Sequence, residues 1–304
     1  MKLFWMLLSL LVVAGSMRGA VFTNDASADA FVRGAAPTLN YGGAGALSVS
    51  GPNATNAVGV TNGVFDSFIR FNTGAMVTNF DLRFGTNNWF VTSAKLRVSE
   101  QGAPNNALFN RGVGAFEIRW MAQTNWAEGT GVPINPTGDG VVYNDEPALL
   151  NGGTDISLGT FTNAGVNGSL NFTLALPAAF VGAMKAGGEV GLFLTALDPE
   201  AGFTFNSRDF STIPARPFLE VSGVPRPIIT AINLSGTNVV LAAANGAAGG
   251  TYFVLASANL ALPLGRWAPI ATNLLTTDGD FAITVTNAVN LNPPPQQFFI
   301  LQTR

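Results

Sequence analysis

The chain has 304 residues, of which 47% are apolar and only 11% charged, and its formal net charge is −3. No basic block occurs, so the electrostatic footprint of nucleic-acid binding or of a polybasic membrane contact is missing. Cys and His are both absent, which excludes disulfides, thiol nucleophiles, thiolate and imidazole metal sites, and the usual general base near neutral pH.

In chain order, Lys2, the apolar run 3–13 and the small residues Ala14, Gly15 and Ser16 read as a secretory signal. Residues 1–20 are assigned to it, with cleavage after Ser16 or after Ala20. The apolar run is shorter than the ~20 residues that a membrane helix needs. A secreted or cell-surface protein with no membrane span in its mature form is therefore expected. Apolar/polar alternation then predicts strands at 28–33, 46–50, 67–72, 94–99, 115–121, 156–161, 169–176, 189–197, 202–207 and 217–222. In the fifth of these, Phe116, Ile118 and Trp120 fall on one face, which predicts a core position for Trp120. One short helix is expected after Pro177, with Phe180, Val181 and Met184 as its apolar face and Gly187-Gly188 as its end. Two long loops are expected, a polar one at 80–89 and another at 125–153. Residues 224–227 form a Pro-flanked link. Beyond it, strands are predicted at 229–234, 238–243, 251–256, 268–272, 280–286 and 297–302. The fold class is all-β, with one large domain (21–223) and a smaller one (228–304).

Several short motifs occur in a fixed order: Asp29-Ala30-Phe31, then Asn40-Tyr41-Gly42, then Leu47-Ser48-Val49. Phe68-Ile69-Arg70-Phe71, the run 92–98, Trp126-Ala127-Glu128-Gly129, Ser207-Arg208-Asp209 and the run 216–221 follow. In the turn, Gly42 and Gly43 are expected to supply positive φ, and Asn40 to bond its own backbone two residues on. Together these resemble the DNRLRE domain, a secreted β-sandwich family grouped with the family 96 carbohydrate-binding modules, over about residues 28–222. The literal string that names the family is absent. The resemblance implies a jelly-roll-like sandwich that binds polysaccharide, alginate-type acidic glycans among the ligands. Residues 228–304 resemble the small immunoglobulin- or fibronectin-type module that ends many bacterial secreted proteins. That likeness is carried by Trp267 and the closing Phe298-Phe299-Ile300-Leu301.

The candidate ligand-binding residues are Tyr41, Trp126, Glu128, Arg70 and Arg208. An exposed Trp126 would stack on a sugar face while Glu128 accepts hydroxyl hydrogen bonds. Alternatively, Trp126 plugs the end of the sandwich and Glu128 caps a turn. On the first reading, Trp126→Ala weakens binding and spares folding. Arg70, Arg97, Arg208 and Arg216 would pair with uronate carboxylates if they share a face, and are solvated or salt-bridged otherwise. Asp29, Asp139 and Asp145, with Glu146, would supply oxygen ligands for a structural calcium ion, or else serve as turn residues. No other cofactor is expected. A non-catalytic monomer that binds polysaccharide is the leading expectation. The alternatives are a structural or adhesive spacer and, more distantly, a carboxylate-only glycan-cleaving enzyme.

Overall fold

The computed structural model describes residues 19–56, 58–100, 112–150, 155–165, 168–288 and 297–303. Residues 1–18 of the expected signal lie outside them. The chain is all-β and divides into two compact units, one of Ala20–Asn87 with Val91–Gly223, the other of Asn88–Phe90 with Val224–Arg304.

The strands of the larger unit are β1 (Ala20–Arg33), β2 (Ala46–Ser50), β3 (Phe65–Asn72), β4 (Trp89–Glu100), β5 (Gly114–Met121), β6 (Ile156–Asn163), β7 (Gly168–Leu174), β8 (Glu189–Ala196), β9 (Gly202–Asn206) and β10 (Phe218–Pro225). They run in the order β1-β10-β4-β9-β2-β3-β8-β5-β6, with β7 beside β4, and β1 also pairs with β3. That last pairing closes a ring of strands from which β8, β5 and β6 extend. The closure depends on β1. Its first half, to Asp25, pairs with β10. Its second half pairs with β3, and the register shifts between Ala26 and Ala28. Such a bulge bends a strand and lets it pass from one layer to the next. Ser27 is the extra residue, and its hydroxyl lies 2.7 Å from Glu189 Oε2 and 3.1 Å from the Arg70 carbonyl.

Phenylalanine fills the interior. Phe31, Phe65, Phe68, Phe71, Phe116, Phe203 and Phe205 are all fully buried. On β5 the alternation holds as expected, with Phe116, Ile118 and Trp120 buried. Arg119 faces the other way and pairs with Glu117 and Asp155. The helix expected after Pro177 is α3 (Ala178–Lys185), after α1 (Gly74–Phe84) and α2 (Glu146–Leu149), and it buries Phe180 and Met184. Residues 80–84 belong to α1 and not to a polar loop. Met76, Phe80 and Phe84, four residues apart, form its buried face, and the intervening Thr78, Asn79, Asp81 and Arg83 disguise that period. Strand β10 runs to Pro225, so only Arg226 and Pro227 of the expected link separate it from the next strand. A Pro at the end of a strand removes no donor that the ladder still needs.

The smaller unit contains β11 (Ile228–Ser235), β12 (Asn238–Gly246), β13 (Thr251–Ser257), β14 (Ala268–Leu274), β15 (Gly279–Val285) and β16 (Phe298–Thr303). They form two three-stranded antiparallel sheets, β11-β12-β15 and β14-β13-β16. Val239, Leu241, Tyr252, Val254, Ile283 and Val285 meet between them. Trp267 is buried, and its Nε1 donates to the Leu262 carbonyl at 2.9 Å.

Because Phe80 is the central buried residue of α1, Phe80→Ala should destabilise the larger unit by about 3–5 kcal/mol. Denaturant unfolding followed by tryptophan fluorescence measures this, and an unchanged midpoint would mean that α1 is not packed.

Candidate functional site

The β5–β6 loop carries α2 and, just before it, a 3₁₀ turn (Tyr143–Asp145). It is pinned to the strands at three points. At the first, Asn40 Nδ2 donates to the carbonyls of Glu128 (2.7 Å) and Val141 (2.8 Å). Its Oδ1 accepts from the N–H groups of Gly42 (3.0 Å) and Gly131 (3.2 Å). One fully buried amide thus satisfies backbone groups from two loops. The expected turn bond of Asn40 to Gly42 is present, but Gly42 and Gly43 are not in left-handed backbone. What requires a glycine at 42 is close approach, since a Cβ there would collide with the Glu128 carbonyl. Gly129 does have φ of 82° and also faces Asn40.

The second pin is ionic. Glu128 Oε1 accepts from the Asp29 N–H at 2.8 Å, and Glu128 Oε2 pairs with Arg208 Nη1 at 2.5 Å. Asp29 Oδ2 in turn accepts from the Arg208 N–H at 2.7 Å. Burial raises the Glu128 carboxyl, and the Asp29 N–H and the Arg208 guanidinium pull it back. Asp29 is fully buried, and burial pushes it well above the usual carboxylate range against the opposing Arg208 N–H. Its Oδ1 takes no donor.

The third pin is Arg70. Its Nη1 donates to the carbonyls of Thr124 (2.7 Å) and Trp126 (2.9 Å), and its guanidinium stands 4.9 Å over the Trp126 ring. Its Nε lies 3.4 Å from Glu189. Trp126 is 6% exposed, its ring 5.8 Å from that of Phe68, in one core cluster with Phe193, Met121 and Val141.

An open cleft of about 400 Å³ lies along this loop, lined by Asn125, Trp126, Asp139, Asp145 and Leu149 among others. Its volume is within the range of small-ligand sites. With so little of it exposed, Trp126 offers no more than an edge. The open sugar-stacking face expected of it is turned into the core, because the ring fills the space beside Phe68. Tyr41 is also buried, stacked on Phe31 at 4.7 Å. Of the five candidate ligand residues, Arg208 is the most accessible, and it is paired. The expected calcium ligands are not brought together. Asp139 accepts from Thr130 N, Thr130 Oγ1 and Thr137 Oγ1, which lower its carboxyl to about 2. Asp145 caps the Val142 N–H at 2.9 Å, while Asp29 is held by Arg208. Among the described residues, no three acidic side chains gather as a metal site.

Sequence reasoning missed Asp66. It lies in β3, is 3% exposed, and its carboxyl is in hydrogen-bond contact with that of Glu146 and with Thr195. Burial, followed by the charge of its partner, raises Glu146 to about 9, and burial raises Asp66 to about 6. An acid set between Phe65 and Phe68 in an apolar strand is the signal that the sequence offers.

No protein-family model matches the chain, and no curated protein matches it. Among solved structures, a β-glucuronidase of Ruminococcus gnavus in complex with uronic isofagomine is 8% identical with a TM-score of 0.21, covering 79% of this chain and 32% of its own. A Macrobrachium rosenbergii nodavirus structure is 10% identical with a TM-score of 0.19, covering 100% of this chain and 95% of its own. A β-1,2-glucanase from Parabacteroides distasonis is 11% identical with a TM-score of 0.12, covering 94% of this chain and 37% of its own. The chain spans about a third of the length of the two enzymes. TM-scores this low say nothing of fold or activity.

Two substitutions test the loop's anchoring. Trp126→Ala should destabilise by about 3–5 kcal/mol, as Trp120→Ala should, since both rings are buried. Glu128→Ala should cost about 1–3 kcal/mol by leaving the Asp29 N–H without its acceptor. Chemical denaturation of the variants reads both, and a fully stable Trp126→Ala would return that ring to the list of ligand residues.

Proposed function

We propose that the larger unit is a non-catalytic module of an exported protein, that it groups with DNRLRE-type domains, and that it binds extracellular or cell-wall polysaccharide in the cleft beside Trp126. One observation carries the reading. Asp29, Asn40, Glu128 and Arg208, which lie far apart in the chain and carry the resemblance, meet in one network that fixes the cleft's loop. The lining combines the Asn125 amide and carboxylate oxygens with apolar surface from Leu149 and the edge of Trp126. Sugars need both kinds of contact, hydrogen bonds for hydroxyls and apolar surface for C–H faces.

Charge selects among glycans. Asp139 and Asp145 line the cleft, while Arg70 and Arg208 are engaged by Glu189 and Glu128. A neutral sugar therefore suits the cleft better than a uronate. Glycosidase carboxyls stand roughly 5–9.5 Å apart to admit the substrate, so Asp66 and Glu146, which are in contact, are not such a pair.

The spacer reading has its own support, because Tyr41, Trp126 and Arg70 all serve packing. Affinity electrophoresis of the protein through gels of neutral and acidic polysaccharides separates the two. Retardation by a neutral polymer is expected, with Asn125→Ala weakening it roughly 5- to 50-fold, the worth of one or two hydrogen bonds, at an unchanged unfolding midpoint. No retardation by any polymer would favour the spacer.

A further inference from the structure

We propose that the smaller unit binds the carboxyl end of an extended polypeptide, in a second cleft that follows the open edge of β16. This cleft has a volume of about 300 Å³, and its lining includes Phe90, Arg226, Leu255, Leu264 and residues 300–302. All of these belong to the smaller unit, which contains residues 88–90. Residues 300–302 show where the cleft lies. Leu301 opposes Val254 and packs into the core between the two sheets. Ile300, opposite Leu255, and Gln302, opposite Phe253, therefore point to the other face. Successive residues of opposite facing share a cleft at the edge of their strand, where the backbone between them can be reached. Strand β16 is the last of its sheet, with β13 on one side and no strand on the other among the described residues. Such an edge offers N–H and C=O groups that an extended peptide satisfies in register.

The second observation is Arg226. Its N–H donates to the Asn88 carbonyl at 2.9 Å, and its carbonyl accepts from Asn245 Nδ2 at 3.3 Å. With the backbone fixed on both sides, its guanidinium stands 4.6 Å over the Phe90 ring. Among the described residues it forms no ion pair with a carboxylate. A cation held on an aromatic wall without a counter-ion is complementary to an anion. A peptide carries one that requires no particular side chain, its terminal carboxylate. The small volume also suits the end of a chain better than a long run.

The rest of the lining suits an apolar last residue. Leu255 is buried, Ile300 is half-buried and Leu264 is 51% exposed. Leu264 is nonetheless held in place, in a 3₁₀ turn (Leu264–Arg266). Its carbonyl accepts from the Trp267 N–H at 3.0 Å, and the Arg266 N–H donates to the Pro263 carbonyl at 2.8 Å. A fixed apolar side chain left in water gains from a ligand that covers it, and costs no ordering when it does so. A sugar fits this cleft poorly, because Arg226 and Gln302 supply the only polar side chains of the described lining. The inference therefore stands apart from polysaccharide binding by the larger unit.

An array of pentapeptides attached by their N-termini, with every pair of last residues and free carboxyl ends, is probed with the full chain. Sequences that end in an apolar residue should stand out. The best of them, titrated in solution, should bind about 5- to 30-fold more tightly than its own C-terminal amide, the worth of one charged hydrogen bond in a partly open site. Arg226→Ala should erase that difference, as should Arg226→Gln if the first variant folds poorly. Methylating the backbone nitrogens of the peptide should also weaken binding, since a paired strand needs its N–H groups, and this control leaves the protein untouched. An array without binders, equal binding of acid and amide, or an Arg226→Ala variant that keeps the preference overturns the proposal. So does octanoate that binds as tightly as the peptide, which would give the cleft to a small acid.

Discussion

The structure of the larger unit depends on how Glu128 is bound. One carboxylate accepts from the backbone of β1 with one oxygen and from the Arg208 guanidinium with the other, and Arg208 returns a backbone N–H to Asp29. Desolvation opposes this arrangement, since Glu128 and Asp29 are both raised by burial. What prevails is complete satisfaction of the carboxylate, not Coulomb attraction alone. The Arg208 side chain is 36% exposed, and exposed ion pairs contribute little. The buried Asp29 N–H has no such solvent alternative. Removing its acceptor leaves a full desolvation penalty behind.

Around that bond the β5–β6 loop behaves as part of the core. Asn40 satisfies its carbonyls, Arg70 satisfies two more while covering Trp126, and Trp126 itself packs on Phe68. A loop that long would normally expose backbone polar groups to water. Here side chains from β3 and the turn before β2 replace the water, which explains how a cleft can form in irregular chain and still keep its shape. The bulge in β1 belongs to the same design, because it sets Asp29 among the strands paired with β3 while Ser27 reaches Glu189.

Much of this was legible in the sequence, and the failures have a common cause. Strands declared themselves wherever alternation was clean, as at Phe116, Ile118 and Trp120. Helix α1 was hidden because Met76, Phe80 and Phe84 repeat every four residues through polar neighbours. Asp29, Glu128 and Arg208 could be singled out, but not given their roles, because period and composition do not reveal which residues distant in sequence touch. Trp126 shows the difference most clearly. The sequence left two readings of this tryptophan, an exposed ring for a sugar or a plug at the end of the sandwich, and the ring is buried in a cluster with residues of β1, β3, β5 and β8 that local sequence cannot report. Asp66 was missed for the complementary reason, since a buried acid makes sense only with its partner on α2.

The same physics limits what a motif can say about a ligand. Residues that hold a loop in place must be buried and fully partnered, and this leaves them no free hydrogen-bonding capacity for a sugar. Asn40 uses its amide donors and its acceptor internally, and both oxygens of Glu128 are taken. Residues that meet a ligand must keep free capacity and stay at the surface, as Asn125 does on the cleft wall. A shared motif of this kind therefore carries the scaffold from one domain to another, and leaves specificity to the unremarkable polar residues between its letters.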